Sequence, residues 1–184
     1  MLRYFLIFFL FMCTSISNAE VKEKIIQNLK DTKNLDFKFE QNINGKIENG
    51  NCTIEYQKKI FCEYARSNNK ILVSNGKSLV IKTRTSYYRY PLKKTALNLI
   101  LDKNFLLEKI KKSDGDIIDE KYLRFKFVEG DYQINIFFDI FSYNIIGWQN
   151  IDIYQNLVIT YLFDLKKNIN VTKNQFRLPN PTNN

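Results

Sequence analysis

The stretch from Lys70 to Lys82, KILVSNGKSLVIK, constrains the fold more than any other part of this chain. Two apolar, largely β-branched runs flank a central Asn75-Gly76 pair. Asn and Gly tolerate the positive φ angles that a two-residue hairpin turn requires, so the pattern predicts a strand, a tight turn and a second strand. The pair at 44–45 is again Asn-Gly, which predicts another hairpin earlier in the chain.

The flanking segments alternate between apolar and polar residues, as half-buried strands do. Residues 20–34 differ, because Val21, Ile25, Ile26 and Leu29 recur at helical spacing and predict a short amphipathic helix packed on a sheet. Further strands are predicted at 35–40, 46–56, 60–66, 86–90, 122–127, 132–138, 145–154 and 157–165.

A second helical segment follows Pro91, which interrupts the strands. Thr95 is the predicted N-cap, and the apolar residues within 96–101 and 105–110 predict a helix that is apolar nearly all round. Such a helix in a small β-protein must cover other apolar residues or be covered itself. The many short antiparallel strands without crossover helices predict a curved sheet or barrel, with the helices at its mouth or inside it.

The N-terminus has the pattern of an export signal. Arg3 precedes the apolar run from Tyr4 to Met12, and small residues at 17–19 suit cleavage after Ala19. The alternatives are a membrane anchor, which the short run disfavours, and a lipid-modified Cys13, which the bulky residues before it disfavour. We therefore predict a signal peptide at 1–19 and a single exported domain at 20–184.

The chain is basic, with 28 Lys and Arg against 19 Asp and Glu. Removal of residues 1–19 would take away only Arg3, leaving 27 against 19 and a net charge of +8. Basic, aromatic-rich chains can bind nucleic acid. Export and the even spread of the lysines disfavour this, so no nucleic-acid partner is predicted, and the charge suits docking at an anionic membrane surface.

Two cysteines, Cys52 and Cys62, remain in the predicted domain. An even number in an exported chain suggests a disulfide, and a turn near Gln57 would place the two residues directly opposite each other on paired strands. Free buried thiols are the alternative.

A search for catalytic or metal-binding residues finds none. The chain contains no histidine, which removes His-dependent triads and the commonest zinc sites. The phosphate-binding, dinucleotide-binding and nucleophile-elbow motifs are also missing from the sequence. The sequence therefore predicts a protein that is not an enzyme, with no cofactor and no metal.

The chain is rich in aromatic residues, with 15 Phe and 11 Tyr. On a curved sheet, the inward-pointing residues of alternating strands can line a hydrophobic cavity. An ordinary filled core is the alternative, and periodicity alone favours it.

Several short motifs together resemble the LolA family of periplasmic lipoprotein carriers. An early Phe-x-Gln strand, an ILVSDGK-like hairpin, a helical segment with paired leucines and a closing Phe-x-x-Pro occur in the family's order at 37–41, 71–77, 91–101 and 176–179. Phe138-Asp139, Gly147-Trp148 and Asp152 also match. The resemblance extends over nearly the whole predicted domain.

The resemblance implies an α+β fold, an unclosed antiparallel β-barrel of about ten or eleven strands with short helices as a lid over a hydrophobic cavity. It implies a monomeric periplasmic chaperone that carries acylated lipoproteins from an inner-membrane ATP-binding-cassette transporter to an outer-membrane receptor. Another lipid- or lipoprotein-binding protein of the same fold, receptor-like or an envelope-stress sensor, is the alternative.

The resemblance also implies roles for individual residues. Leu97, Ile100 and Leu101 would belong to the lid. The cavity wall would be formed by Phe37, Phe39, Tyr64, Leu72, Val80, Tyr88, Phe125 and Phe127. Family members usually carry an Arg-Pro pair whose arginine holds the lid shut; this chain has Tyr56 and Lys58 in that neighbourhood, so these two are the latch candidates.

Overall fold

Eleven strands form one antiparallel sheet in the computed structural model, which describes residues 18–65, 67–152 and 154–181. The strands are β1 (Asn34–Ile43), β2 (Lys46–Glu55), β3 (Lys59–Tyr64), β4 (Ile71–Asn75), β5 (Ser78–Lys82), β6 (Tyr87–Pro91), β7 (Asp116–Ile118), β8 (Tyr122–Glu129), β9 (Tyr132–Asp139), β10 (Ile145–Ile151) and β11 (Leu157–Lys167). The helices are α1 (Asn18–Asp31), α2 (Leu97–Ile100) and α3 (Lys103–Lys112), with a 3-10 turn at Leu92–Lys94.

The sheet consists of two meanders that meet in the middle. The strand order is β6-β5-β4-β3-β2-β1-β11-β10-β9-β8-β7, so only the β1–β11 pair joins the two halves. Strands β6 and β7 are the two edges and do not pair with each other. The prediction of an unclosed antiparallel barrel with short helices is therefore confirmed.

The helices pack on one face of the sheet, which we call the concave face. Val21, Ile25, Ile26 and Leu29 of α1 are buried, as their helical spacing predicts. They share a single core with inward-pointing strand residues such as Phe37. Among the described residues, none of the helices has both the length and the apolar character needed to cross a bilayer.

The predicted signal peptide falls mostly on residues 1–17, which lie outside the described residues. Helix α1 begins at Asn18, so the predicted cleavage position after Ala19 lies in its first turn.

The predicted helix after Pro91 is in fact two helices. The break follows Leu101, where Asp102 adopts an extended conformation and its carboxylate accepts a hydrogen bond from the Phe105 N–H, so that Asp102 caps α3. The prediction that Thr95 is an N-cap is wrong. Its hydroxyl donates instead to the Leu92 carbonyl at 2.8 Å and closes the preceding 3-10 turn.

The strands predicted from the sequence do not include the edge strand β7. Only three residues pair with β8, too few for an alternating pattern to be recognised. An ion pair of 2.8 Å between Asp116 and Arg124 joins the two strands.

Cys52 and Cys62 lie directly opposite each other on β2 and β3, and a disulfide bond joins them. The adjacent glycine, Gly50, is also required by packing. A Cβ atom there would lie 2.0 Å from the Glu63 carbonyl oxygen and 2.9 Å from the Phe39 ring. A side chain at position 50 would therefore displace both groups.

The C-terminal segment, residues 169–181, crosses the opposite, convex face of β2 to β5. Gln175 donates to the Thr53 hydroxyl at 2.8 Å, and the Lys59 ammonium lies 5.8 Å from the centre of the Phe176 ring. Lys82 donates to the Asn180 carbonyl at 2.9 Å. These contacts bury a second apolar cluster on the convex face, separate from the main core.

Loss of the disulfide is expected to destabilise the protein measurably. A cross-link that closes a loop this short stabilises by about 2–3 kcal/mol, because it restricts the unfolded chain. We expect Cys52→Ala with Cys62→Ala to lower the melting temperature by about 4–12 °C, read by circular dichroism. A reductant should have the same effect on the parent and none on the variant; an unchanged parent would contradict the expectation.

Truncation of Phe125, which is 0 % exposed, tests the packing of the core beside α3. We expect Phe125→Ala to lower the free energy of unfolding in urea by about 3–5 kcal/mol, because it leaves a cavity. Phe163 is 45 % exposed on the convex face and is the matched control. Phe163→Ala should change stability by no more than about 0.5 kcal/mol; equal losses would show that the core lies elsewhere.

Candidate functional site

A cavity of about 220 Å³ lies on the concave face, between the sheet and the segment 95–101, which we call the lid segment. It occupies the end of the sheet that carries the β1–β2, β3–β4 and β10–β11 turns, while α1 and α3 fill the other end. Its apolar lining consists of Phe39, Ile43, Ile60, Leu72, Leu79, Ile81, Ala96, Leu97, Trp148, Ile151 and Val158, together with the two disulfide-bonded cysteines. Both meanders contribute, so the cavity exists only because β1 pairs with β11.

Strand alternation explains why the lining is apolar. Leu72 lies opposite Ile81 across β4 and β5, and directly paired residues point to the same face of a sheet. Phe39 and Tyr64 form an edge-to-face pair with ring centres 5.0 Å apart. Gly50 lies between them in the strand register and leaves room for both rings.

Phe39, Tyr64 and Leu72 are the predicted wall residues that line the cavity. Phe37, Phe125 and Phe127 are also buried on the concave face but lie in its filled part, outside the cavity. There Phe125 packs edge-to-face on Phe138, and Phe127 packs on Phe105 of α3. The concave face is thus part filled core and part cavity.

Two wall predictions need correction. Val80 is fully buried, but its side chain points to the convex face with Val73, where the C-terminal segment covers it. Its neighbours Leu79 and Ile81 line the cavity instead. Tyr88 has the concave-face register but lies on the edge strand β6, is 53 % exposed and does not reach the cavity, whereas Tyr90 does.

The lid segment contributes fewer predicted residues to the cavity than expected. Leu97 lines it, together with Thr95 and Ala96, which the sequence analysis did not assign to the site. Ile100 and Leu101 are 1 % and 0 % exposed and belong to the core beneath the lid segment. They hold the segment on the sheet and do not line the cavity.

Lys58, one of the two latch candidates, contacts the end of the lid segment. Its backbone N–H donates to the Leu101 carbonyl at 3.0 Å, and its ammonium lies 3.0 Å from the Asp102 carboxylate. The buried Ser74 hydroxyl donates to the Lys58 carbonyl at 2.9 Å and fixes this turn on β4. Lys58 is therefore bonded on one side to the sheet and on the other to the lid segment.

Tyr56, the other candidate, does not bond the Leu101 carbonyl. Its backbone N–H donates to Lys33, before β1, at 3.0 Å, and its ring lies 5.8 Å from the ammonium of Lys103. Burial raises the pKa of the Tyr56 hydroxyl. The residue packs the turn against the first turn of α3.

A buried ionic cluster lies beside the cavity. The Glu48 carboxylate is hydrogen-bonded to Lys70 at 2.5 Å and paired with Lys46 at 3.1 Å, and the Glu48 side chain is 5 % exposed. Lys70 itself lines the cavity, and its ammonium lies 4.0 Å from the centre of the Tyr64 ring. Burial opposes ionisation of Glu48, but the two lysines outweigh it and lower the pKa of its carboxyl group.

Three further tyrosines, Tyr90, Tyr132 and Tyr154, contribute to the lining of the cavity. A hydrogen bond between the Tyr90 and Tyr154 hydroxyls raises the pKa of the Tyr90 hydroxyl. No pattern in the sequence distinguishes these residues from the other tyrosines. Within residues 18–65, 67–152 and 154–181, no three His, Cys, Asp or Glu side chains are placed to hold a metal ion.

Comparison with known proteins shows the fold and no more. No protein-family model matches the sequence, and no curated protein matches it either. The fold is similar to that of an uncharacterised conserved protein from Thermus thermophilus, with a TM-score of 0.51 at 8% identity over 89% of this chain and 95% of that one.

Two weaker structural similarities are to proteins with descriptive names. LprF from Mycobacterium bovis has a TM-score of 0.45 at 13% identity, over 90% of this chain and 97% of that one. A LolA superfamily protein from Nitrosomonas europaea has a TM-score of 0.42 at 9% identity, over 89% of this chain and 99% of that one.

Asp102 makes two contacts, an ion pair with Lys58 and the N-terminal cap of α3, and two substitutions measure their contributions to stability separately. Asparagine also caps helices, so Asp102→Asn removes only the ion pair with Lys58 and should cost about 0.2–1 kcal/mol in urea unfolding. Asp102→Ala also removes the cap of α3 and should cost about 1–2 kcal/mol more. Equal losses would show that the cap contributes nothing.

The Glu48 cluster predicts a loss of stability in acid. Because the folded pKa of Glu48 lies below its ordinary value of 4.5, its contribution is complete above that value and disappears as the pH falls through the folded pKa. We expect Glu48→Gln to be less stable than the parent at about pH 7, with the difference shrinking towards about pH 3. Urea unfolding at both values measures this; a difference independent of pH would contradict it.

Proposed function

We propose that this protein is a periplasmic carrier that holds the acyl chains of lipoproteins in the concave-face cavity. The observation that carries the proposal is the cavity itself, which is lined by apolar side chains from both meanders and roofed by Leu97 of the lid segment. The motifs that resemble the LolA family support the lipoprotein as cargo. The apolar N-terminal run and the small residues before Glu20 support export.

The physical need for such a carrier is large. Each methylene group exposed to water costs about 0.8 kcal/mol, so an acyl chain of about fifteen methylenes costs on the order of 12 kcal/mol to move unaided. An apolar cavity removes most of this cost by replacing water with side chains. The chain carries no nucleotide-binding motif, so the energy for extraction would come from an inner-membrane ATP-binding-cassette transporter.

Loading requires the lid segment to move. The cavity of about 220 Å³ is smaller than the range of about 300–1,000 Å³ that is usual for ligand sites. The hydrogen bond from Lys58 to Leu101 and the ion pair of Lys58 with Asp102 would hold the lid segment in place until cargo binds. An outer-membrane receptor, where one is present, would then take the cargo.

A matched pair of substitutions on α2 tests the site. Leu97→Glu places a carboxylate in the cavity, whereas Asn98→Glu places one on the same helix outside it. Each protein is expressed with its signal peptide and purified from the periplasm, and the extracted lipids and lipopeptides are identified by mass spectrometry. We expect acyl chains with the parent and with Asn98→Glu, and a loss of at least about fivefold with Leu97→Glu, because burying a charge without a partner is costly.

A second measurement separates a carrier from another lipid-binding protein of this fold. Added to spheroplasts, the parent should release lipoprotein into the medium, and Leu97→Glu should not. Bound lipid without release would support the alternative of a receptor or sensor. If the parent carries no acyl chains and releases no lipoprotein, the proposed function is wrong.

A further inference from the structure

The cavity contains one feature that binding of an acyl chain alone does not explain. Lys70 and Asp152 are the charged residues in a lining that is otherwise mostly apolar or aromatic. The Asp152 carboxylate accepts hydrogen bonds within its own turn, from the Tyr154 and Asn156 backbone N–H groups and the Asn156 side chain. The Lys70 side chain is 19 % exposed. An ammonium group loses hydration when it is partly buried, so it needs partners that compensate. A leucine or methionine of similar length would line the same space without that cost.

The surroundings hold the Lys70 ammonium in one place. An ammonium group has three N–H donors. One is directed at the Glu48 carboxylate at 2.5 Å, and the Tyr64 ring face lies 4.0 Å away. The Lys70 carbonyl also accepts a hydrogen bond from the Tyr64 backbone at 3.0 Å, which fixes the base of the side chain. Among the described residues, Glu48 accepts from one donor and the Tyr64 ring face takes the place of an acceptor for a second, so one donor of the ammonium is left for a ligand in the cavity.

The charge balance of the cluster favours an anion. Glu48 carries one negative charge and is paired with both Lys70 and Lys46, so the three side chains together carry one excess positive charge. Lys70 also stands just before β4, next to the β3–β4 turn, at the end of the sheet that carries the β1–β2 and β10–β11 turns. Because Lys70 itself lines the cavity, a ligand whose chain lies along the apolar lining can place its head group beside the Lys70 ammonium.

We propose that the cavity selects amphiphiles with an anionic group, a carboxylate or a phosphate, next to the acyl chain, and that Lys70 binds this group. The inference rests on the proposed function, since it requires acyl chains in the cavity. Glu48 and Tyr64 act as positioning residues, because their contacts hold the Lys70 ammonium in place beside the cavity. Glu48 also competes with the ligand for the same ammonium.

The test compares ligands that share one chain and differ in the head group. Binding of laurate, dodecanol and lauroyl-lysophosphatidylglycerol is measured by displacement of a neutral fluorescent probe below their micelle concentrations. Laurate stands for free fatty acids and the lysolipid for lipid head groups. We expect the parent to prefer at least one of the two anions over dodecanol by at least about fivefold, because a hydrogen bond between an ammonium and an anion is stronger than the bond that a neutral hydroxyl can make.

Substitutions give expected changes in opposite directions. Lys70→Met should abolish the preference, while Lys70→Arg should keep it. Glu48→Gln should strengthen the binding of anions relative to dodecanol, because it removes the competing carboxylate; a purely structural role of the pair would instead weaken all ligands equally. The double variant Lys70→Met with Glu48→Gln leaves no buried charge unpaired. It replaces Lys70→Met in the test if that single variant does not fold, and it should likewise show no preference for anions. Lys77→Met, on the exposed β4–β5 turn, is the control.

The outcomes distinguish this inference from the proposed function. Equal binding of dodecanol and both anions, unchanged in Lys70→Met, would overturn the role of Lys70 and leave acyl-chain binding intact. Failure of all three ligands to bind a parent that still carries acyl chains from the periplasm would overturn the role of Lys70 alone. Failure of all three together with no acyl chains and no released lipoprotein would overturn both. Preference for only one anion would show which head-group chemistry, carboxylate or phosphate, Lys70 binds.

Discussion

Strand β1 pairs with β11 along its whole length, from Leu35 opposite Lys167 to Ile43 opposite Val158, and the rest of the structure depends on this ladder. It joins two meanders that are otherwise built from neighbouring strands. Without it, the concave face would be split, and neither half could enclose the cavity, since Phe39 and Leu72 come from one meander and Trp148 from the other. Such long-range pairing forms late and slowly, because the chain between the strands must first be ordered.

The concave face consists of a packed core at one end and a cavity at the other. Helices α1 and α3 fill one end with apolar side chains and provide the packed core that a domain of this size needs. The short α2 covers the other end only partly and leaves a cavity there. Because a cavity forfeits packing energy, the disulfide beside it, the C-terminal segment on the convex face and the contacts of Lys58 all hold the surrounding sheet in place.

The prediction from sequence succeeded where local signals are strong. The Asn75-Gly76 and Asn44-Gly45 turns, the amphipathic α1 and the opposed cysteines each depend on a few adjacent residues. It failed where tertiary contacts decide. Thr95 was predicted to be an N-cap, but its hydroxyl closes the preceding 3-10 turn instead. The single predicted helix is two helices, because the backbone at Asp102 is extended. Lys70 and Glu48 carried no signal at all, because their pairing joins strand β2 to the β3–β4 turn, which are separated in the sequence.

The sequence by itself determined the class of the fold, since alternating apolar runs between tight turns can only form antiparallel strands around a core, and it determined which segments are helical. Tertiary structure alone decided which side chains reach the cavity. Val80 and Ile81 are adjacent and equally apolar, yet they point to opposite faces, because side chains alternate along a strand and the register depends on the partner strand. Whether the concave face is filled or hollow depends on where α2 and α3 pack, which no local pattern encodes.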